Sequence, residues 1–219
     1  MRRPTSVSRE VSLRSTLRDY WDEVSDVAAM VDLDCLERVA VMLLNCQARA
    51  RVVFVVGNGG SAATASHFAC DLSKGTRRDG PPTFQVVSLT DNVPLLTAWA
   101  NDSGYERVFS EQLIALGRPG DLLVAISASG DSPNVVAAID AARSLGMAVV
   151  GLTGRSGGHL APLADVVVNV PSDRIEVVED AHLVVTHSLC VAVRERLALG
   201  DNSVPTTSLS VVPGRRAGR

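Results

Sequence analysis

Five short runs rich in valine, isoleucine and leucine recur along the chain, and segments with helical spacing separate them. The runs cover residues 52–56, 84–89, 122–126, 148–152 and 166–170. They are almost continuously apolar rather than alternating, which is typical of parallel strands covered on both faces by helices. The helical pattern over residues 133–145 stops at Gly146, just before the fourth run. This order predicts an α/β fold, a doubly wound five-stranded parallel sheet in three layers.

Two amphipathic helices are predicted before the first strand, within residues 16–50. Helices that precede a complete sheet need another surface on which to bury their apolar stripes, so packing against neighbouring subunits is expected. The predicted organisation is a single domain over residues 16–200, with these helices used for oligomerisation. The ends, a basic segment at residues 1–15 and residues 201–219, are expected to be mobile.

The composition is that of a globular protein, with 46% hydrophobic and 21% charged residues among 219, which excludes collagen-like, disordered and disulfide-scaffold classes. The net charge is −3, and arginines near both ends leave the middle of the chain more acidic than this value suggests. An acidic domain is a poor match for a nucleic-acid backbone. No nucleic-acid partner is therefore expected, and a phosphate would have to be bound by neutral donors.

No secretory signal or membrane-spanning run is recognisable, because no apolar stretch has the length and position that either requires. Four cysteines, at positions 35, 46, 70 and 190, lie in apolar contexts without a Cys-x-x-Cys pair. Reduced core thiols are predicted rather than disulfides or zinc ligands. A cytoplasmic protein with no membrane partner is expected.

The first candidate binding loop follows the first strand and has the sequence Gly-Asn-Gly-Gly-Ser over residues 57–61. Its glycines allow a sharp turn with exposed N–H groups, and a helix predicted from about residue 65 adds partial positive charge, so an anion is the expected ligand. The glycine spacing also satisfies the dinucleotide-binding fingerprint. That motif requires an acidic residue about 20 positions further on, after the second strand, and the nearest candidate there, Asp91, lies too late.

A second candidate loop follows the third strand and contains Ser127, Ser129 and Ser132. At the entrance of a helix, each hydroxyl can donate a hydrogen bond to a phosphate oxygen, and the helix N-terminus favours negative charge. An ordinary helix cap, with Ser132 before Pro133, would explain Ser132 alone. The loop is therefore predicted to bind phosphate, with Ser132 also capping the helix.

Four imidazole and carboxylate side chains have a spacing that suits a divalent metal. His67 and Asp71 share one face of a predicted helix, and Glu179 and His187 stand eight positions apart on the last helix. This donor set is suitable for a metal ion, although either pair alone would more often be a buried, hydrogen-bonded histidine. His182 cannot face the same pocket as His187 and is predicted to be structural or to support the site.

In combination these motifs resemble the sedoheptulose-7-phosphate isomerases (phosphoheptose isomerases) of the SIS, or sugar isomerase, group. The resemblance covers roughly residues 16–198 and rests on the glycine and serine loops, His67-Phe68-Ala69, Asn101-Asp102, Gly151-Leu152-Thr153-Gly154, and Glu179-Asp180-x-His182 with His187. It implies a flavodoxin-like SIS domain, a zinc-containing homotetramer with sites shared between subunits, and conversion of sedoheptulose 7-phosphate to a glycero-manno-heptose 7-phosphate.

The resemblance also implies a role for each matching residue. The acid/base pair would be Asp71 and His187, and one zinc ion per site would be held by His67, Asp71, Glu179 and His187. The substrate would be bound by Asn58, Gly59, Gly60, Ser61, Asn101, Asp102, Ser127, Ala128, Ser129, Ser132 and Glu179.

Two positions depart from the family pattern, which usually has Glu where this chain has Asp71 and Gln where it has Glu179. The carboxylate of Asp71 is withdrawn by about 1.5 Å, which matters for positioned proton transfer, and the charge of Glu179 would strengthen a cation site. These departures leave open which carboxylate is the base. They also leave open an isomerase of another sugar phosphate, in nucleotide-sugar or secondary-metabolite synthesis.

A third alternative is a non-catalytic SIS interaction protein that resembles the replication-initiator-associating protein, since a fold alone does not fix function. Such proteins are expected to lack a complete metal and acid/base set. His67, Asp71 and His187 are all present, so the enzyme is favoured.

Overall fold

The computed structural model describes residues 12–77 and 82–199. The strands are β1 (Val52–Val56), β2 (Gln85–Ser88), β3 (Leu122–Ser127), β4 (Ala148–Thr153) and β5 (Val166–Asn169). The α-helices are α1 (Leu13–Ala29), α2 (Leu33–Ala48), α3 (Gly60–Cys70), α4 (Val93–Ser103), α5 (Ser110–Leu116), α6 (Pro133–Ser144) and α7 (Ile175–Ala198). A π-helical turn (Asp71–Gly75) continues α3, and a 3-10 turn (Tyr105–Arg107) follows α4.

The five strands form one sheet in the order β2-β1-β3-β4-β5, and every neighbouring pair is parallel. This is the flavodoxin-like order, in which β2 lies on one side of β1 and β3, β4 and β5 follow on the other side. The carboxyl ends of all strands therefore meet at one edge, where ligands bind in folds of this type. The predicted fold class is confirmed.

Alternate residues of the central strands enter two separate cores, as expected for a sheet covered on both faces. In β1, Val53 and Val55 pack with α2, α3 and α7, whereas Phe54 and Val56 pack with α5 and α6. Both faces are apolar, which explains why these strands read as continuous apolar runs.

Helix α1 packs on α7 instead of on the sheet, and a third small core formed by Val27, Val177 and Val178 lies between the two helices. Most of α1 faces outward: Leu13, Leu17 and Trp21 are 85%, 64% and 70% exposed. These three residues, spaced four apart, form the α1 stripe. None of the helices among the described residues is long and apolar enough to span a membrane.

Three expectations from the sequence need correction. Helix α1 begins at Leu13, so the predicted tail at residues 1–15 extends too far; its first part and residues 201–219 lie outside the described residues. Helix α3 begins at Gly60, five residues before the predicted start. Cys70 is exposed, not part of the core, whereas Cys35, Cys46 and Cys190 are buried and all four are free thiols.

Candidate functional site

The glycine loop, residues 57–59, turns the chain from β1 directly into α3. Gly59 has a φ of +54°, a left-handed conformation that favours glycine. A Cβ on Gly57 would lie 2.6 Å from the Ser61 carbonyl oxygen, so a side chain at this position would clash with the first turn of α3. The two glycines thus allow the backbone to turn sharply from β1 into α3, at the carboxyl ends of the strands, with no side chain in the way.

His67 on α3 and Asp71 on the π-helical turn that continues it meet His187 of α7, and the three residues form the His–Asp–His cluster. The two histidine Nε2 atoms lie 2.9 Å apart, and Asp71 Oδ2 lies 3.3 Å from that of His67 and 3.6 Å from that of His187. One donor atom from each residue lies within 4.8 Å of the other two. Two imidazole nitrogens and a carboxylate oxygen at this separation suit a divalent cation such as zinc.

The local backbone explains how Asp71 joins this cluster. The α-helical hydrogen-bond pattern of α3 ends at Cys70, and Asp71 is the first residue of the π-helical turn. Such turns often mark functional sites because they change the direction of the side chains that follow. The side chains of the cluster are between one third and one half exposed, so a ligand can reach them.

Glu179, the fourth predicted metal ligand, is not part of the His–Asp–His cluster. Its carboxylate lies against the Gly60 backbone, so closely that a Cβ on Gly60 would overlap it. Glu179 and Gly60 line a cavity of about 250 Å³ together with His67 and Asp180. The structure therefore brings together three of the four predicted ligands and places the fourth across the same cavity, at the start of α3.

The serine loop, residues 127–132, leads from β3 into α6. The hydroxyl of Ser127 lies 3.5 Å from that of Ser129 and 3.2 Å from that of Ser132, so the three predicted phosphate donors are clustered. Ser132 occupies the N-cap position of α6 and Pro133 the first helical position, but the Ser132 side chain makes no capping hydrogen bond. The expected capping role of that hydroxyl is wrong; it accepts from Ser127 instead, and its own proton can be donated to a ligand.

A neighbouring loop supports the serine loop through its backbone. Gly154 N–H donates to the Ala128 carbonyl and Leu160 N–H donates to the Gly130 carbonyl, both at 2.9 Å. The backbone N–H and ring Nδ1 of His159 lie 2.9 and 2.6 Å from Asp131 Oδ1, and these contacts lower the pKa of Asp131. These contacts fix the backbone of the serine loop.

The other predicted substrate-binding residues lie on two further segments. Asn101 and Asp102 are exposed at the end of α4, where the Asn101 amide donates to Asp102 Oδ1 at 2.7 Å. Asn58 is paired with Asn134 through two amide hydrogen bonds of 2.8 and 2.9 Å, and accepts a third from Tyr105 Oη at 3.0 Å. Asn134 and Tyr105 were not among the predicted site residues, although each stands three residues or fewer from one of them.

His182, on α7, is fully buried. Neither of its ring nitrogens has a hydrogen-bond partner of ordinary geometry in the described part of the chain, and the same holds for the hydroxyl of Thr153. Burial lowers the pKa of His182 to about 4, against a smaller opposite effect of the Thr153 backbone. His182 is therefore neutral, and its position in the core fits the predicted structural role.

Known proteins with this fold and site identify the class. Residues 19–154 match the SIS domain family, and the chain belongs to that family. The phosphoheptose isomerase of Nitratidesulfovibrio vulgaris is 44% identical over 157 residues, 72% of this chain and 75% of that protein. That of Rhodospirillum rubrum is 42% identical over 182 residues, 83% of this chain and 94% of that protein.

A solved structure agrees with these relatives. The phosphoheptose isomerase of Neisseria gonorrhoeae has a TM-score of 0.78 at 35% identity, covering 84% of this chain and all of that one. Within the SIS domain family, this chain belongs to the phosphoheptose isomerases. The predictions of the family and of an aldose–ketose isomerase are confirmed.

Proposed function

We propose that this protein converts sedoheptulose 7-phosphate to D-glycero-D-manno-heptose 7-phosphate through an enediol, as a step in heptose biosynthesis. The observation that carries the proposal is the His–Asp–His cluster, whose His67 lines one cavity with Gly60, the residue that follows the glycine loop. The relatives of this chain that are named phosphoheptose isomerases support this choice of substrate.

Moving the carbonyl from C2 to C1 of a ketose requires a base that takes a proton from C1 and returns one to C2, and an acid that moves protons between the two oxygens. Asp71 is the base in this scheme and His187 is the acid. Their side chains lie 3.6 Å apart, so both can reach adjacent carbon and oxygen atoms of one substrate. Glu179 is less suited to be the base, because its carboxylate lies at Gly60 and not in the cluster.

His67, Asp71 and His187 would hold one zinc ion, with Glu179 as a fourth ligand or a substrate contact. The donor set fits zinc, which prefers imidazole nitrogen and carboxylate oxygen and binds catalytically through three protein ligands. A bound divalent ion supplies positive charge that stabilises negative charge on the substrate oxygens. The protein residues orient the sugar and move its protons.

The phosphate would bind at the serine loop, through Ser127, Ser129 and Ser132, with Ser61 on the first turn of α3 as a further predicted contact. The clustered hydroxyls and the N-terminus of α6 favour an anion there. The start of α3 is less favourable, because the Glu179 carboxylate already lies against Gly60 and would repel phosphate. The remote phosphate would supply binding energy that orients the reacting carbons.

The working form would be a cytoplasmic homotetramer in which the α1 stripe packs against other subunits. An exposed row of two leucines and a tryptophan on one helix face supports self-association. Four free cysteines are consistent with a reducing compartment. An acidic chain with this stripe offers little to a nucleic acid or a membrane surface.

The test is to incubate the purified protein with sedoheptulose 7-phosphate and with shorter ketose phosphates, with added zinc and after chelation, and to follow aldose formation by NMR. The His187→Ala variant, purified in parallel, controls for host isomerases. Turnover of sedoheptulose 7-phosphate that chelation abolishes is expected. Turnover of a different ketose phosphate alone would replace the substrate, activity that survives complete chelation would reject the metal, and no turnover at all would reject the enzyme.

A further inference from the structure

The side chain of Asn58 is held by more hydrogen bonds than its place in a short loop requires. Its Oδ1 accepts from Asn134 Nδ2 at 2.9 Å and from Tyr105 Oη at 3.0 Å, and its Nδ2 donates to Asn134 Oδ1 at 2.8 Å. The two amides thus satisfy each other, and the tyrosine hydroxyl adds a third bond to an already paired oxygen.

These three residues come from three different segments of the site. Asn58 belongs to the glycine loop, Asn134 is the second residue of α6 after the serine loop, and Tyr105 lies in the 3-10 turn after Asn101 and Asp102. Asn58 therefore connects the glycine loop, the start of α6 after the serine loop, and the turn that follows Asn101 and Asp102. A displacement of any one segment would move or release the Asn58 amide.

The two partners of Asn58 differ in how deeply they are buried. Asn134 is 2% exposed and Tyr105 is 58% exposed. A buried amide without hydrogen bonds would destabilise the fold, so the pairing of Asn134 with Asn58 has a structural reason. An exposed tyrosine has no such need, because water can satisfy its hydroxyl and its ring contributes little to the core.

The remaining hydrogen-bonding capacity is suited to a polyol. Asn58 Nδ2 has a second N–H beyond the one given to Asn134, and Tyr105 Oη keeps acceptor capacity after it donates to Asn58. Sugar hydroxyls both donate and accept, so they match such a pair. Because these groups are already held in place before the sugar binds, binding does not pay the free energy of ordering a mobile loop.

We propose that Tyr105 and Asn134 are positioning residues for the sugar chain, which act by fixing the Asn58 amide between the glycine and serine loops. The inference rests on the proposed isomerase function and extends it to two residues outside the predicted site. Tyr105 carries the more specific part of the inference, because its bond to Asn58 is not required for folding.

The test compares Tyr105→Phe and Asn134→Asp with Thr97→Val. Tyr105→Phe keeps the ring and removes the bond, and Asn134→Asp keeps the shape but removes the donor to Asn58. Thr97→Val removes a hydroxyl that bonds only within its own helix, α4. We expect kcat/KM for sedoheptulose 7-phosphate to fall about 3–10-fold in Tyr105→Phe and further in Asn134→Asp. Thr97→Val should retain the wild-type value, and Tyr105→Phe should retain the wild-type melting temperature and zinc content.

A double-mutant cycle shows whether Tyr105 acts through Asn58. If it does, Tyr105→Phe has little further effect in an Asn58→Ala background. Additive losses would overturn the positioning role, because Tyr105 would then act on the substrate by itself, and wild-type kcat/KM in Tyr105→Phe would overturn it as well. Binding of sedoheptulose 7-phosphate is measured by calorimetry on the same proteins, so a wild type that binds without turnover rejects the isomerase function but not the positioning role. A wild type that neither binds nor turns over rejects both.

Discussion

The Nε2 atoms of His67 and His187 lie 2.9 Å apart, although 120 positions separate the two residues in the sequence. At this distance the two nitrogens can share a proton, or both lone pairs can be directed at one cation. Asp71 Oδ2 lies within 3.6 Å of both nitrogens. The three atoms are thus close enough to bind one cation, as the proposed reaction requires.

Replacing His187 by alanine should abolish most of the activity. The variant loses the proposed acid and one nitrogen of the cluster, and general acid–base catalysis contributes about 10²–10⁴-fold to a rate, so kcat should fall at least about 100-fold. Steady-state kinetics with sedoheptulose 7-phosphate measures it. Ser188→Ala, which removes a hydroxyl that bonds to the Val185 carbonyl of the same helix, is the matched control. Normal turnover in His187→Ala would remove this residue from the mechanism.

Asp71→Asn should weaken metal binding without disturbing the fold. The amide keeps the shape of the carboxylate but loses its charge, and loss of mere supporting residues around a metal already costs about 10–100-fold in affinity. Zinc affinity by competition with a chelating dye should therefore fall at least about 10-fold, with an unchanged circular dichroism spectrum. Glu179→Gln should have a smaller effect, because Glu179 lies outside the cluster. Equal losses in both variants would contradict the three-residue assignment.

The sheet could be predicted from the sequence because its information is local. Apart from β2, which is Gln-Val-Val-Ser, the strands are largely apolar runs, and β1 matches its predicted range of Val52–Val56 at both ends. The pairing of His67 with Asp71 was equally accessible, since both side chains lie one helical turn apart. That His187 joins them depends on the packing of α7 on α3; residue type and spacing made it a candidate ligand, and the family resemblance supported that choice.

Relationships that depend on side-chain direction were not predictable in the same way. Helical spacing allowed Glu179 to share a face with His187, but the close approach of α3 brings its carboxylate to Gly60. Likewise, no periodic pattern links Asn58 with Asn134 and Tyr105, because the three loops meet only after the sheet is assembled. Ser132 has the sequence of a helix cap, yet its hydroxyl makes no capping bond.

Tyr20 should report on the docking of α1 onto α7. Its hydroxyl donates to Asp180 Oδ2 at 2.5 Å, and this bond to a negative group is the main reason why the pKa of Tyr20 is raised to about 12. A raised pKa means that the contribution to stability is complete below about pH 10, the unfolded value, and is lost as the pH rises through 12. An ultraviolet absorbance titration should show one of the two tyrosines ionising near 12.

In Asp180→Asn that titration should return toward pH 10, whereas Asp19→Asn, the residue beside Tyr20 in sequence, should leave it unchanged. A tyrosine that still ionises near 12 in Asp180→Asn would show that another contact holds the proton.

The α1 stripe should be required for self-association. Leu17→Asp combined with Trp21→Asp places two charges on exposed apolar positions, which would be strongly unfavourable inside a subunit interface and nearly neutral on a free surface. Light scattering after size exclusion should show a shift from tetramer to smaller species. Asp26→Lys, on another face of α1, is the control. An unchanged mass would place the interface elsewhere.

Stability should fall in mild acid because of His182. The ring is buried and its pKa is lowered to about 4, whereas an unfolded histidine titrates near 6.5. Between these values the unfolded chain binds the extra proton, so stability is complete above pH 6.5 and declines as the pH falls toward 4. A difference of about 2.5 pH units corresponds to about 3 kcal/mol. Urea unfolding of chelator-treated protein at several pH values measures this loss. His182→Leu should remove most of this dependence of stability on pH. The control, His159→Gln, removes an exposed histidine and should retain the dependence. An equally steep dependence in His182→Leu would assign the acid sensitivity to other groups.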